Sequence, residues 1–319
     1  SLRFSEASGL ISLEKKQRSQ NLVPVYLENF RDFLSLVISE ERPLYQQLKE
    51  LRGVKLSALE HGSPDSPYYL FCLGEFHLQW AIARLKFGDY TAAALEIRKA
   101  YGALADNEKL YPAFMPNKMA LGIIHVLVSL IPENYRWVSN LMGLNGSMEH
   151  GLNEIRQVAN YSGEDEVTRL FRQQAAFYLA FLDVNLRSNK KEALSNLPYL
   201  ALDNRHDKSV ESPLLIYARA SILMKNGRND EALHVLQERG SCTQTFPFYF
   251  LDYLEGMARL NALDFTASGY LEKYVNNFKG RSYLSAAYQK LAWIALMKED
   301  SAGYARFMRK AGAESTSSV

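Results

Sequence analysis

The chain has 319 residues, 47% hydrophobic and 12% aromatic, which is ample for a buried core and excludes wholesale disorder. Its 37 basic and 35 acidic residues nearly cancel, leaving +2, too little for the concentrated basic face that nucleic-acid binding requires. The longest apolar run, LGIIHVLVSLI at 121–131, is far short of the ~20 residues a membrane span needs, so no transmembrane segment is expected.

Strand signals are nearly missing. Apolar residues recur at three- and four-residue spacing, and Gly, Pro, Asn or Asp closes each run. The pattern predicts about sixteen helices. They fall near 3–18, 24–39, 43–60, 67–87, 89–106, 115–130, 133–142, 147–160, 165–187, 190–202, 213–226, 229–239, 246–261, 264–278, 281–298 and 300–312. Pro24, Pro43, Pro67, Pro116 and Pro213 each sit in a predicted first turn, where the missing N–H costs no bond. By pattern the chain divides into a helical segment at 1–66 that starts mid-repeat, a hairpin with a helical insertion at 67–160, repeats at 161–312 and a polar, disordered tail at 313–319.

Within the first of these, LRFSEASGLISLEK reads as the second half of a helix pair whose first helix lies upstream. The chain opens on Ser1 rather than Met, so an exported precursor bearing a signal peptide stays open, and so does the compartment. In the second, LGEFHLQWAIARLKFGDYTAAALEIRKAY at 73–101 is the clearest unit. It resembles a tetratricopeptide repeat, a helix–turn–helix module of about 34 residues. Trp80 and Ala81 fill the first-helix positions, GDY makes the turn, and Ala93, Ile97 and Ala100 line the second helix.

Glycines are densest in GLNGSMEHG, 143–151. A phosphate cradle needs a preceding strand, a Lys or ribose-binding acid at fixed distance, and a GxGxxG or GxxxxGK[ST] spacing; all fail here. The stretch reads instead as a joint: a helix stop at Gly143, a turn at Asn145-Gly146, and Ser147 capping the next helix. The surrounding residues 117–155 resemble the tetratricopeptide repeat protein 39 and inclusion body clearance protein family, through Ser129, Leu130, Pro132, Gly143, Gly146, Gly151 and Leu152. Ser147 departs from that pattern, which often has an acid there. The resemblance implies an all-helical repeat scaffold with no assigned reaction.

Toward the C-terminus, Ala220, Gly256 and Ala292 recur at a 36-residue step. The turn positions Gly227, Leu263 and Glu299 keep the step, as do Leu236, Glu272 and Met308. A small residue at a fixed offset from a turn marks a helical hairpin, because two helices approach closely only over a tiny side chain. The expected fold is therefore all-α: an α–α superhelix of stacked helical hairpins, a tetratricopeptide-like solenoid.

Conventional chemistry is scarce. No HExxH or GxSxG occurs, and Cys72 and Cys242 form no CxxC pair, so no structural zinc site, cofactor or catalytic residue is expected. Cys72 reads as a small core residue. His77, His125 and His234 lie in apolar helices and read as satisfied core or semi-buried histidines rather than ligands, His125 as a residue that ties helices together. Glu164, Asp165 and Glu166 suit a helix N-terminus.

The 19 Tyr and 16 Phe carry the most functional content. In a tetratricopeptide array the first helices line a concave groove. Tyr217, Ser221 and Met224, then Phe250, Tyr253, Met257 and Leu260, then Gln289, Trp293 and Leu296 map to its face. Of these, Tyr217, Met224, Tyr253, Met257 and Trp293 are the candidate partner-binding residues, unless they pack the solenoid's own interior. The expected function is a non-enzymatic protein-interaction scaffold that binds a peptide or protein segment. A glycan- or lipid-binding module on the same aromatics is the alternative. An enzyme on helical hairpins ranks below both, since it would need a converging His–acid or paired-carboxylate set.

Overall fold

The structure is a computed structural model that describes residues 2–131, 146–187, 190–200, 212–237 and 245–316. Among the described residues every regular element is helical. The expected helix at 133–142, together with Pro132, Gly143, Asn145 and Cys242, lies outside them. All five prolines named above sit in a helix's first turn.

Packing separates two compact units, one of Phe4–Val37 with Arg42–Leu182, the other of Ser1–Arg3 with Ile38–Glu41 and Asp183–Val319. The first unit contains α1 (Phe4–Gln17), most of α2 (Val23–Ser39), α3 (Arg42–Glu60), α4 (Pro67–Phe87), α5 (Tyr90–Leu110), α6 (Pro116–Ser129), α7 (Met148–Ala159) and α8 (Glu166–Leu182). Helix α4 is buried without a break from Gly74 to Ala81, so it has no solvated face there and its polar residues need internal partners. It pairs with α5 through the expected unit: Trp80, Ala81, Ala93, Ile97 and Ala100 are all buried. The turn between them carries Gly88 at φ 82, and Asp89 N–H donates back to Arg84 O at 2.9 Å.

Helices α6 and α7 touch backbone to backbone. A Cβ placed on Gly122 would lie 2.5 Å from the carbonyl oxygen of Gly151, and one on Gly151 would overlap that of Gly122. Gly146 lies so close to Ser129 N that no side chain fits, and Ser147 Oγ accepts from His150 N–H at 3.3 Å. The glycine-rich stretch is thus a capped joint over its described residues.

The second unit holds a π-helical turn (Asp183–Arg187), α9 (Lys190–Ser195), α10 (Leu197–Leu200) and the pairs α11 (Pro213–Lys225)/α12 (Asn229–Gln237), α13 (Phe250–Asn261)/α14 (Ala267–Asn277) and α15 (Leu284–Met297)/α16 (Ser301–Thr316). The 36-residue step is physical. Ala220, Gly256 and Ala292 are buried, and Gly227, Leu263 and Glu299 are all left-handed, at φ 76, 56 and 61. Each turn closes with the same bond at 2.9 Å: Arg228 N–H to Leu223 O, Asp264 N–H to Arg259 O, Asp300 N–H to Ala295 O.

On the second helices Leu236, Glu272 and Met308 keep the step without sharing a burial. Leu236 is buried, but Glu272 and Met308 are exposed. The inward-facing set at the same step is Val235, Leu271 and Phe307. The expected helix at 190–202 breaks at Asn196, whose side-chain amide donates to Asp183 Oδ2 at 3.1 Å. Helix α15 begins at Leu284, later than expected, because Tyr283 is left-handed at φ 59. Helix α16 runs on to Thr316, into the stretch read as tail.

Two pieces from early in the chain complete this unit. Phe246 N–H donates to Leu2 O at 2.7 Å. The Glu40 carboxylate accepts from Arg281 N–H at 2.9 Å and Ser282 N–H at 3.0 Å.

Candidate partner-binding face and polar clusters

The five candidate residues lie on the first helices of the three C-terminal pairs. Tyr217 and Met224 on α11 and Tyr253 and Met257 on α13 are half-buried, whereas Trp293 on α15 is 49% exposed. Of the others mapped to this face, Ser221 is half-buried and Gln289 and Leu296 are exposed. Phe250 and Leu260 are buried and belong to the core instead. Their helix packs against α11, α12 and α14, which leaves these two no solvent edge.

Tyr217 and Tyr253 enter one aromatic cluster. Tyr217 meets Phe248 edge-on at 5.5 Å, and Tyr253 stacks on Tyr283 at 4.9 Å with an interplanar angle of 13°. Phe250 links this group to Phe278 at 5.1 Å. Burial, with the Tyr283 hydroxyl adding, raises the Tyr217 phenol far above its ordinary range. The same two causes push Tyr253 up to about 12. Both are therefore neutral hydroxyls at any working pH. Trp293 lies apart from the cluster, with Lys290 Nζ 3.4 Å from its ring centre.

Tyr283, 43% exposed, is a member of this face that sequence reasoning misses. It comes from a connector, where no helical period operates; the aromatic run FPFYF at 246–250 is the nearest signal.

In the first unit the polar residues of α4 find partners. Buried His77 has Nδ1 2.6 Å from Glu96 Oε2, and Arg52 Nη2 donates to the same carboxylate at 2.8 Å. Arg52 also covers the rings of Phe76 at 5.4 Å and Trp80 at 5.9 Å. Burial opposes ionisation of Glu96, but the His77 and Arg52 contacts outweigh it and hold the carboxyl below its usual range. Glu75 has weaker company. Burial pushes it up to about 7, although Gln79 Nε2 donates to it at 3.3 Å and the Tyr26 hydroxyl also favours the charged form.

His125, read as a tie between helices, is one. Its Nδ1 lies 2.6 Å from Glu154 Oε2 on α7, and His150 Nε2 lies 3.4 Å from Glu154 Oε1. His234, read as a core or semi-buried histidine, is exposed: the apolar face of the short α12 is already filled by Ala232, Val235 and Leu236. Cys72 is buried, and burial followed by the Glu75 charge pushes its thiol up to about 12, so it is no nucleophile. Asp165 accepts from Thr168 N–H at 2.8 Å and caps α8, as its acidic neighbourhood suggests.

Helix pairs with a small residue at the crossing and a left-handed residue at the turn define an all-α fold of packed helical hairpins, the fold class that tetratricopeptide-like proteins share. The sequence model of the Iml2/Tetratricopeptide repeat protein 39 family matches residues 115–247. That span supports the resemblance carried by Ser129, Leu130, Gly146, Gly151 and Leu152, and its two glycines are ones that backbone contacts require. No curated protein matches the chain. Among the described residues no helix is long and apolar enough to cross a membrane.

Proposed function

We propose that the chain is a non-enzymatic protein-interaction scaffold, and that a partner segment with apolar side chains docks on the α11–α13–α15 face. One observation carries the reading. At repeat-equivalent places on successive first helices the chain puts Tyr217 and Tyr253, then Met257 and Trp293, and each keeps part of its surface exposed. Residues needed only for the core would be buried, as Phe250 is. Large rings in fixed positions and adaptable methionines are suited to gripping an apolar segment. The family match and the repeat architecture support the scaffold reading.

The test avoids Tyr217 and Tyr253, since truncating a packed aromatic costs about 3–5 kcal/mol and confuses folding with binding. Peptides selected from a displayed library on the immobilised chain would be measured against the Met257→Ala/Trp293→Ala double variant. A loss of at least about tenfold, with the unfolding midpoint unchanged, is expected for two interface residues. Equal binding by the double variant, or a library that yields no binder, would remove this face from consideration.

A further inference from the structure

We propose that His125, His150 and Glu154 form a binding site for a divalent transition-metal ion of the zinc class, spanning α6 and α7. The site is built by the backbone. The contact between Gly122 and Gly151 lets the two helices close to a separation no larger residue allows. One turn beyond Gly122 is His125; flanking Gly151 are His150 and, one turn on, Glu154. The three side chains therefore converge because the helices cross where they do. The two imidazole rings lie 5.0 Å apart, and one donor atom from each of the three residues lies within 4.8 Å of the others.

The donor set selects the ion. Two imidazole nitrogens and one carboxylate oxygen suit zinc, cobalt, nickel or copper, whereas calcium and magnesium prefer oxygen throughout. Donors about 2.0–2.1 Å from a tetrahedral ion sit roughly 3.4 Å apart. His150 Nε2 lies 3.4 Å from Glu154 Oε1. His125 Nδ1 lies 2.6 Å from the other carboxylate oxygen, Oε2, and shares with it a proton that the ion would displace, with a small opening of that pair. Burial fits the same picture. The side chains of Glu154 and His125 are 8% and 14% exposed, while that of His150 is 60% exposed and leaves an entry path and a fourth position for water.

A search for Cys and His spacing misses this site, because its ligands come from different helices and one of them is a carboxylate. The bound ion would clamp α6 to α7, strengthening the joint that the glycines make.

The test uses the full chain without a histidine tag, stripped by chelator and titrated with Co²⁺, whose visible spectrum reports tetrahedral nitrogen and oxygen ligation, and with Zn²⁺ by calorimetry. One equivalent is expected to bind. His150→Ala should weaken binding at least about 100-fold, since losing even an outer partner costs roughly 10–100-fold. His150 is exposed, so this variant should keep the wild-type helicity and metal-free unfolding midpoint. Glu154→Gln, of the same shape, should weaken binding as well. No tetrahedral Co²⁺ spectrum from the wild type, or an unchanged spectrum and affinity in His150→Ala, would overturn the site.

Discussion

Two buried carboxylates on neighbouring helices show how much a partner decides. Glu96 is held ionised by His77 and Arg52. Glu75, with neutral company, sits at about 7 in the folded chain against an ordinary 4.5. Below the lower value both folded and unfolded states hold the proton. Between the two values the folded state binds more protons, so stability falls as pH rises; above about 7 the penalty is complete. Glu75→Gln should thus stabilise the protein at pH 8 by an amount on the order of 3 kcal/mol and flatten the curve between those values. Denaturation midpoints of the pair, taken from acid to mild alkali, test this, and parallel curves would refute it.

Elements are governed by where they cross and how they turn. At Gly122 the obstacle to a side chain is the backbone of α7, which cannot step aside. Gly122→Ala should cost at least about 1–3 kcal/mol. Gly102 also lies in a helix, but nothing lies within 4 Å of its absent Cβ. Alanine there should add about 0.5–1 kcal/mol. At the turns, Leu263 and Glu299 hold the left-handed conformation that Gly227 holds without strain. Leu263→Gly should therefore be neutral to stabilising by up to about 1 kcal/mol, while Gly227→Ala should destabilise by a similar amount. Thermal midpoints of the four variants check the ordering.

These turns explain how much of the fold is legible in the sequence. A position that must be small or left-handed has few chemical solutions, so Ala220, Gly256, Ala292 and the turn triplet survive as a visible period. The second helices obey the same period, but an apolar stripe spans neighbouring positions. Val235 and Leu236 are both buried, but the step from Val235 leads to the packed Leu271 and Phe307, and the step from Leu236 to the exposed Glu272 and Met308. The first-helix aromatics follow the period too. Tyr283 and the meeting of His125 with His150 and Glu154 do not, since a connector has no period and a convergence across helices leaves no local trace.

On the scale of the whole molecule, the second unit is not a continuous stretch of chain. Glu40 supplies the acceptor for two backbone amides that stand 241 and 242 positions later. Glu40→Ala should cost about 1–3 kcal/mol, because those amides would lose their acceptor. Hydrogen exchange at Arg281 and Ser282, faster in the variant, is the direct readout.

The order of manufacture follows from that closure. A ribosome releases residue 40 long before residue 282, and at about 5–20 residues per second the wait is on the order of 10–50 seconds. Through that interval the Glu40 carboxylate lacks the amides it serves. The C-terminal hairpins therefore cannot finish docking until synthesis has passed them, and a nascent chain stalled earlier would present an unclosed surface to chaperones and proteases.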